Sequence, residues 1–340
     1  MSLLVVCADL LSLANGDCPV TAVGYNPLVA TRDGIHAGVL QLQAVIGLVR
    51  TMRPKQWTKN LLFIFPGLIF DGQVFDPTAF ARVFLAFVLF SFISGSVYII
   101  NDLVDIESDR RHPKKRSRPL PSGQLPVPVA RVAAVALPLV TLAIALAFSL
   151  PLAAILAFYL VMQICYSFYL KNIVIVDVLT ITIGFVLRVA AGVAVIEVEN
   201  FSPWLYACAG FLALFLAIGK RRQELVTLGE DAPNVRRIFQ YYNLPLIDEM
   251  MRVVTTGTLI TYTLYTIESE STLLDVNGAN VGLLTVPFVL YGLFRYLYLI
   301  HVLGETSPPD EVLLKDRPLQ VDIALFGLMF IFILYILPHG

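Results

Sequence analysis

Long apolar segments recur along almost the whole chain, separated by short polar loops. A helix needs about 20 apolar residues to cross a bilayer. By this criterion the pattern predicts about nine spans, at roughly Asn60–Phe70, Thr78–Ile100, Val129–Ser149, Leu152–Leu170, Ile173–Ile196, Ser202–Gly219, Val253–Ile267, Val281–Leu303 and Val321–Leu337. The short alternating segments of a β-barrel are not seen in the sequence. We therefore predict an all-α fold, a polytopic membrane bundle of about nine transmembrane helices.

The first 45 residues stand apart from this pattern. Residues 1–14 are apolar, but no basic segment precedes them, so a signal peptide is not predicted. We expect residues 1–45 to be a poorly ordered N-terminal extension and residues 46–340 to be the membrane domain.

Charge supports the membrane assignment and orients the bundle. Hydrophobic residues make up 57% of the chain and charged residues 14%, which argues against an ordinary soluble domain. Lys and Arg concentrate before the first predicted span, after the second, fourth and sixth, and between the last two, whereas the alternate loops are acidic or neutral. By the positive-inside rule the N-terminus is cytoplasmic and the C-terminus external.

A dense run of acids and bases follows the second span. Asp102, Asp105 and Asp109 have the spacing i, i+3 and i+7, which places them on one face of a helix. Carboxylate oxygens suit Mg²⁺, which usually completes its shell with water and substrate phosphates. The alternative is a solvated helix end with a positive flank, but such a flank explains the bases and not the aligned acids. The run therefore predicts a Mg²⁺ site facing the cytoplasm.

Further polar residues gather on the same predicted side. The conspicuous bases outside the spans are Lys59, Lys115, Arg118, Lys171, Lys220, Arg221 and Arg222. Asp177 and Arg188 lie inside the fifth predicted span, where an ionisable residue usually marks function. A structural ion pair to a neighbouring helix is the alternative for these two. Carboxylates with many bases at one membrane face indicate a substrate that carries several phosphates.

These residues point to a class of reaction. No Ser–His or Cys–His nucleophile is evident, and the four cysteines lack the spacing of metal ligands. The pattern favours Mg²⁺-dependent transfer from a pyrophosphate donor at the cytoplasmic leaflet, with a lipid as the other substrate. The expected partners are the membrane and phosphorylated substrates, with no nucleic acid. Oligomeric state and the identity of the transferred group stay open at this point.

Three motifs resemble a known family. They read Asn101-Asp102-x-x-Asp105-x-x-x-Asp109, His112-Pro113-x-Lys115-x-x-Arg118-Pro119-Leu120-Pro121-Ser122-Gly123 and Tyr166-x-x-x-Leu170-Lys171. Together they are similar to the acidic and basic motifs of the UbiA-type intramembrane prenyltransferase superfamily, whose members are nine-helix bundles. The resemblance covers about residues 49 to 338 and implies an intramembrane transferase domain over residues 46–340.

Within the superfamily the chain more closely resembles the decaprenyl-phosphate phosphoribosyltransferases. The motifs that indicate this branch are Arg53-Pro-Lys-Gln-Trp-x-Lys59-Asn60, the run Asp177 to Gly192, Gly219-Lys-Arg-Arg-x-Glu224-Leu and Asp316-Arg-Pro-Leu. Relatives that use prenyl diphosphates carry a second Asp-x-x-x-Asp motif after the sixth helix, and this chain has Lys220-Arg221-Arg222-Gln223-Glu224 there instead. The departure favours phosphoribosyl transfer over prenyl transfer.

The resemblance implies substrates and site residues. The donor would be phosphoribosyl pyrophosphate and the acceptor a polyprenyl phosphate, with pyrophosphate released. Mg²⁺ would be held by Asp102, Asp105 and Asp109, with Lys171 completing the catalytic set. The remaining substrate-binding residues would be Lys59, Asn60, Asn101, Lys115, Arg118, Tyr166, Asp177, Arg188, Lys220, Arg221, Arg222 and Glu224. In this scheme Tyr166 orients Lys171 or a phosphate, Asp177 anchors Lys171 or a ribose hydroxyl, and the three consecutive bases hold the ribose 5-phosphate.

Two other functions are considered. One is an intramembrane aromatic prenyltransferase on the same scaffold, which the missing second acidic motif disfavours. The other is a transporter, which would favour charges near the midplane and inverted repeats. Here only Arg188 lies deep, and the acids sit at the membrane boundary.

Overall fold

The structure is a computed structural model that describes residues 42–340, except 112–114, 198–201, 236, 269–274, 277–278, 308 and 338–340. Residues 46–340 make one compact unit. The predicted N-terminal extension lies almost wholly outside the described residues and stays a prediction.

The described chain is almost entirely helical. The helices are α1 (42–51), α2 (Trp57–Ile64), α3 (Pro66–Phe70), α4 (Pro77–Val104), α5 (Ile106–Arg111), α6 (Val127–Phe148), α7 (Leu150–Phe168), α8 (Val176–Val193), α9 (Pro203–Leu228), α10 (Ala232–Val235), α11 (Leu244–Glu268), α12 (Val286–His301), α13 (Pro309–Lys315) and α14 (Arg317–Ile331). Among the described residues, strand pairing is confined to Asp275–Val276 against Ala279–Asn280, which run antiparallel. Short 3₁₀ turns cover Pro54–Gln56, Lys115–Ser117, Leu170–Asn172, Gly229–Asp231, Arg237–Gln240 and Val281–Thr285, and a π turn covers Phe332–Ile336.

Six of the described helices are long and apolar enough to cross a membrane. They are α4, α6, α7, α8, α9 and α12, the last two counted with their adjoining 3₁₀ turns. The chain is therefore an integral membrane protein of all-α fold, as the sequence predicts, but the count of about nine spans is not confirmed. The three other predicted spans are also helical, but each differs from the six long apolar helices. The first is divided into the short helices α2 and α3, and α14 has only 15 residues. Helix α11 carries the charged residues Asp248, Glu249 and Arg252.

The break between α2 and α3 falls at Phe65, directly before Pro66. Proline has no N–H for the intrahelical bond, so a new helix begins there. The broken segment packs closely on α8, where a Cβ added to Gly192 would lie 1.9 Å from the Ile64 carbonyl oxygen. Only glycine allows this approach of the two backbones.

Helix α4 is the centre of one half of the bundle. Its buried residues lie on all sides, as expected of a helix that is hydrophobic all round. It packs against α2, α6, α7 and α8, and the resulting core includes Leu68, Phe90, Ile93 and Leu156. A second core forms where α9 packs on α8 and α11 and is joined by residues of α12. The polar residues described next lie where α4, α7 and α9 end and α8 begins.

Candidate active site

The first polar cluster is built on the end of α4. Asp102 lies in the last turn of this helix and Asp109 in α5, and they are only 2% and 1% exposed. The Nη1 atom of Arg118 lies 2.6 Å from Oδ2 of Asp109 and 3.3 Å from Oδ1 of Asp102. Arg53 Nη2 is 2.7 Å from the same Asp102 oxygen, and Lys115 Nζ is 3.4 Å from Asp109 Oδ1. We call these five residues the acidic cluster.

Arg53 has an unusual backbone in this cluster. Its φ of 54° and ψ of 64° place it in the left-handed region, which few non-glycine residues adopt. The following residue is Pro54, which disfavours the right-handed helical conformation at position 53. The guanidinium is held by Asp102 and lies 4.5 Å from the centre of the Tyr98 ring. Sequence reasoning had placed Arg53 in a motif without giving it a role.

Asp105 differs from the other two predicted metal ligands. The helical geometry of α4 ends there, since Asp105 is the C-cap residue and α5 begins at Ile106. The side chain is half-buried and makes no ion pair with any described residue. The expected single helical face is therefore interrupted at its middle member.

The donor chemistry of Asp102 and Asp109 fits Mg²⁺. The described residues contain no group of three His, Cys, Asp or Glu side chains placed to hold a metal. Mg²⁺ is nevertheless commonly bound through one or two carboxylates together with substrate phosphates. The two buried carboxylates bridged by Arg118 meet that requirement. Binding of Mg²⁺ by Asp105 stays a prediction.

A second polar cluster joins α7, α8 and α9. Arg221 of α9 and Asp177 of α8 pair at 2.7 Å (Nε to Oδ2), with side chains only 2% and 0% exposed. Nη1 of Arg221 lies 2.7 Å from Glu224 Oε2, and Nη2 donates to the Tyr166 hydroxyl at 3.3 Å. The Tyr242 hydroxyl donates to Asp177 Oδ1 at 2.8 Å. We call these five residues the arginine network.

Tyr242 was not foreseen as a site residue. It follows the 3₁₀ turn Arg237–Gln240 beside Tyr241, and nothing in the sequence distinguishes the two tyrosines. Tyr242 is 5% exposed, while Tyr241 is 59% exposed. Burial raises the pKa of Tyr242, so its hydroxyl stays protonated and can donate to Asp177.

Several predicted contacts are made with different partners. Asp177 was expected to anchor Lys171 or a ribose hydroxyl; in the structure its two oxygens accept from Arg221 and Tyr242, and a contact with a ribose hydroxyl stays a prediction. Tyr166 was expected to orient Lys171 or a phosphate, and it accepts from Arg221. The reason is that Arg221 points into the bundle, where a buried guanidinium requires acceptors.

The neighbours of Arg221 point elsewhere. Arg222 donates to Asp248 Oδ1 at 2.8 Å and to the Ile300 carbonyl at 3.3 Å, and it lies 3.2 Å from His301 Nδ1. It thereby joins α9 to α11 and α12. Lys220 is exposed. The three consecutive bases that were predicted to bind phosphate therefore have three different surroundings.

Asn60 and Arg188 form a separate buried contact between α2 and α8. Asn60 is 1% exposed, and its Oδ1 accepts from Arg188 Nε at 2.7 Å. Arg188 also donates to the Gly184 carbonyl at 2.6 Å and to the Tyr159 hydroxyl at 3.0 Å. Its guanidinium lies 5.0 to 5.2 Å from the ring centres of Phe90, Tyr159 and Phe185. Among the described residues the partners of Arg188 are neutral, so the alternative of an ion pair does not apply to Arg188. Substrate binding by Asn60 and Arg188 stays a prediction.

The acidic cluster and the arginine network are connected through residues that neighbour their members. Asn101, the neighbour of Asp102, accepts from Ser167 Oγ at 2.6 Å, and Ser167 follows Tyr166 on α7. Lys59 and Lys171 are half-buried residues near these elements. One end of the bundle therefore collects two buried carboxylates, several solvent-accessible bases and a rigid hydrogen-bonded network.

Comparisons with known proteins agree with this architecture. The model of the UbiA prenyltransferase family matches residues 60–309. The chain is 32% identical to the decaprenyl-phosphate phosphoribosyltransferase of Corynebacterium glutamicum, over 86% of this chain and 88% of that one. It is also 32% identical to the protein of the same name from Mycolicibacterium smegmatis, over 82% of this chain and 89% of that one. The structure of a UbiA homologue from Archaeoglobus fulgidus bound to GPP and Mg²⁺ superposes with a TM-score of 0.64 at 20% identity, covering 85% of this chain and 99% of that one.

The polytopic helical fold and the polar end of the bundle define an integral membrane transferase. The chain belongs to the UbiA prenyltransferase family.

Proposed function

We propose that this protein transfers the 5-phosphoribosyl group from phosphoribosyl pyrophosphate to a polyprenyl phosphate in a Mg²⁺-dependent reaction. The products are polyprenyl-phosphoryl-5-phosphoribose and pyrophosphate. The observation that carries the proposal is the acidic cluster, in which two buried carboxylates lie among three bases. Relatives named for decaprenyl-phosphate phosphoribosyl transfer support the choice of substrates.

The acidic cluster has the charge pattern that a pyrophosphate leaving group requires. Asp102 and Asp109 would hold Mg²⁺ together with Asp105, and the ion would neutralise charge on the departing pyrophosphate. The side chains of Arg53, Lys115 and Arg118 are 32%, 43% and 31% exposed, so solvent and ligands reach them. Arginine suits bidentate phosphate contacts, and lysine acts as a point charge.

The arginine network favours a phosphoribosyl donor over a prenyl diphosphate. Prenyl-diphosphate users need a second carboxylate cluster after the sixth helix, and in this chain that position carries bases and Glu224. Glu224, which pairs with Arg221 at 2.7 Å and has a side chain that is 24% exposed, would contact a ribose hydroxyl. Lys220 and Lys171 then contribute positive charge for the donor phosphates.

The chemistry needs no nucleophile from the protein. An anionic oxygen of the polyprenyl phosphate attacks the anomeric carbon, and the bond from that carbon to the pyrophosphate oxygen breaks. Bases around the acidic cluster stabilise the negative charge that develops on the leaving group. The lipid tail of the acceptor stays in the bilayer beside the apolar helices.

We also propose an orientation in the membrane. By the positive-inside rule, the basic loops, the polar end of the bundle and the N-terminus would be cytoplasmic and the C-terminus would be external. Helices α2–α3, α11 and α14 complete nine membrane-embedded segments in this arrangement. The soluble donor then reaches the site from the cytoplasm and the acceptor reaches it from the bilayer.

A transfer assay on detergent-purified protein tests the proposal. Phosphoribosyl pyrophosphate labelled in the ribose, a polyprenyl phosphate and Mg²⁺ are combined, and label is followed into the organic phase. We expect lipid-bound label that disappears with EDTA and with Asp105→Ala. The matched control is Glu107→Ala, which removes an exposed carboxylate of α5 that pairs with Arg110 and should leave transfer unchanged.

Two results would contradict different parts of the proposal, the first the metal ligands and the second the substrates. Full transfer by Asp105→Ala would remove this residue from the metal site. Absence of label in the lipid, with turnover of a prenyl pyrophosphate onto an aromatic acceptor, would identify an aromatic prenyltransferase on the same scaffold.

A further inference from the structure

The turn that joins α7 to α8 is strained at Ile175. This residue has a φ of 70° and a ψ of −45°, close to the rare γ-turn with positive φ. A β-branched side chain makes such a backbone still less favourable. The Ile175 side chain is 47% exposed, so apolar burial contributes little to holding it in place. Conformations of this kind persist only when surrounding contacts impose them, and they cluster at functional sites.

The Tyr242 hydroxyl supplies such a contact. It accepts a hydrogen bond from the Ile175 backbone N–H at 2.8 Å and donates its own proton to Asp177 Oδ1 at 2.8 Å. One buried hydroxyl therefore connects the strained turn with the arginine network. Arg221 keeps Glu224 and Tyr166 as further partners, so the network does not depend on Tyr242 alone.

The turn fixed in this way carries Lys171. Backbone bonds link it from end to end, since Ile173 N–H donates to the Leu170 carbonyl and Asp177 N–H donates to the Ile173 carbonyl, both at 3.1 Å. The 3₁₀ turn Leu170–Asn172 also packs against Arg237–Gln240, the segment that precedes Tyr242. A displacement at Ile175 would consequently move Lys171, only four residues earlier.

We propose that Tyr242 is a positioning residue that holds Lys171 in place for the phosphates of the donor. The inference rests on the proposed function, because Lys171 has a substrate role only there. Tyr242 touches no reacting atom in this scheme. It acts through the backbone of Ile175 and the turn between α7 and α8.

A double-mutant cycle tests the coupling between the two residues. Tyr242→Phe should lower kcat/KM for phosphoribosyl pyrophosphate about tenfold, mainly through KM, the size expected for one lost hydrogen bond to a positioned group. In the Lys171→Ala background the same change should cost less than about twofold, because the residue that it positions is already gone. Tyr241→Phe removes a neighbouring exposed hydroxyl and should leave the kinetics unchanged.

Hydrogen–deuterium exchange measures how firmly the turn is held, independently of enzymatic activity. Tyr242→Phe should speed amide exchange in residues 170–177, and Tyr241→Phe should not. Suppose that the wild type transfers phosphoribose, and that Tyr242→Phe lowers kcat/KM equally in the wild type and in Lys171→Ala. This result would overturn the positioning role and leave the proposed function unchanged. Failure of the wild type to transfer phosphoribose, with faster exchange in Tyr242→Phe, would overturn the proposed function and confirm that the hydroxyl holds the turn.

Discussion

The acidic cluster and the arginine network use the same kinds of side chain in different ways. In the acidic cluster the carboxylates are buried, but the side chains of Arg53, Lys115 and Arg118 remain 31% to 43% exposed. In the arginine network both Asp177 and Arg221 are at most 2% exposed. These partly exposed bases can turn towards a phosphate in solvent, and a Mg²⁺ ion would compensate the charge of the buried carboxylates that they leave. A buried arginine that lost its partner would leave an uncompensated charge.

This difference in the exposure of the basic side chains suggests a different role for each cluster. The acidic cluster is suited to binding and releasing a charged substrate, and the arginine network is suited to holding helices α7, α8 and α9 in register. A run of three bases in the sequence therefore does not imply three phosphate ligands. Successive residues on a helix point about 100° apart, so Lys220, Arg221 and Arg222 face different surroundings.

The largest effect is expected at the acidic cluster. Asp102→Asn keeps the side-chain volume and removes the negative charge, so transfer should fall by about 10³-fold, the size seen when a main electrostatic contact of a transition state is lost. Unfolding in mild detergent should change by less than about 1 kcal/mol, because Arg53 and Arg118 can turn to solvent. If Asp102→Asn instead lost much stability and kept its activity, the acidic cluster would have the structural role that we give to the arginine network.

The opposite result is expected for Asp177→Asn. Removing this charge leaves Arg221 buried with a weaker set of partners, so the free energy of unfolding should drop by about 3 kcal/mol. Thermal unfolding followed by tryptophan fluorescence measures this change. Arg252→Ala is the control, since its pair with Glu249 is exposed on both sides and should contribute almost nothing. An unchanged unfolding temperature for Asp177→Asn would contradict the scaffold role.

A smaller effect is expected at Arg118, which bridges the two buried carboxylates. Arg118→Ala should lower kcat/KM about 30-fold, as for the loss of a hydrogen bond to a charged group. Arg118→Lys should restore only part of this, because lysine keeps the positive charge but lacks the planar guanidinium that suits bidentate phosphate contacts. The comparison variant is Arg110→Ala, whose partner Glu107 is exposed. Equal effects of the two alanine variants on transfer would mean that the loss reflects surface charge alone.

The smallest effect is expected at Lys220. Its side chain is exposed, so Lys220→Ala should weaken donor binding about tenfold in KM and leave stability unchanged. Arg221→Ala, one position further on, should instead impair folding. If the two variants behaved alike in both measurements, the distinction between neighbouring bases would be wrong.

Sequence reasoning was most successful where the signal is local. Six predicted spans match long apolar helices. It was less successful for segments whose polarity or length is intermediate, such as α11 with its charged first turns. The break at Phe65, directly before Pro66, was not expected.

Partners of individual side chains were the least predictable part. Asp177 was expected to anchor Lys171 or a ribose hydroxyl, whereas its ion-pair partner in the structure, Arg221, lies 44 positions away on α9. Tyr242 and Tyr241 are identical residues side by side, and only the fold buries one of them. The guanidinium of Arg53 likewise contacts Asp102 and Tyr98, which lie on α4, more than 40 residues further along the chain.

The sequence by itself determined the class of molecule, because long apolar segments must form helices in a membrane. Only the tertiary structure decided which charges can meet a substrate and which are locked inside the bundle. Burial and pairing arise from helices that are far apart along the chain, and a one-residue step around a helix is enough to turn a surface base into a buried one.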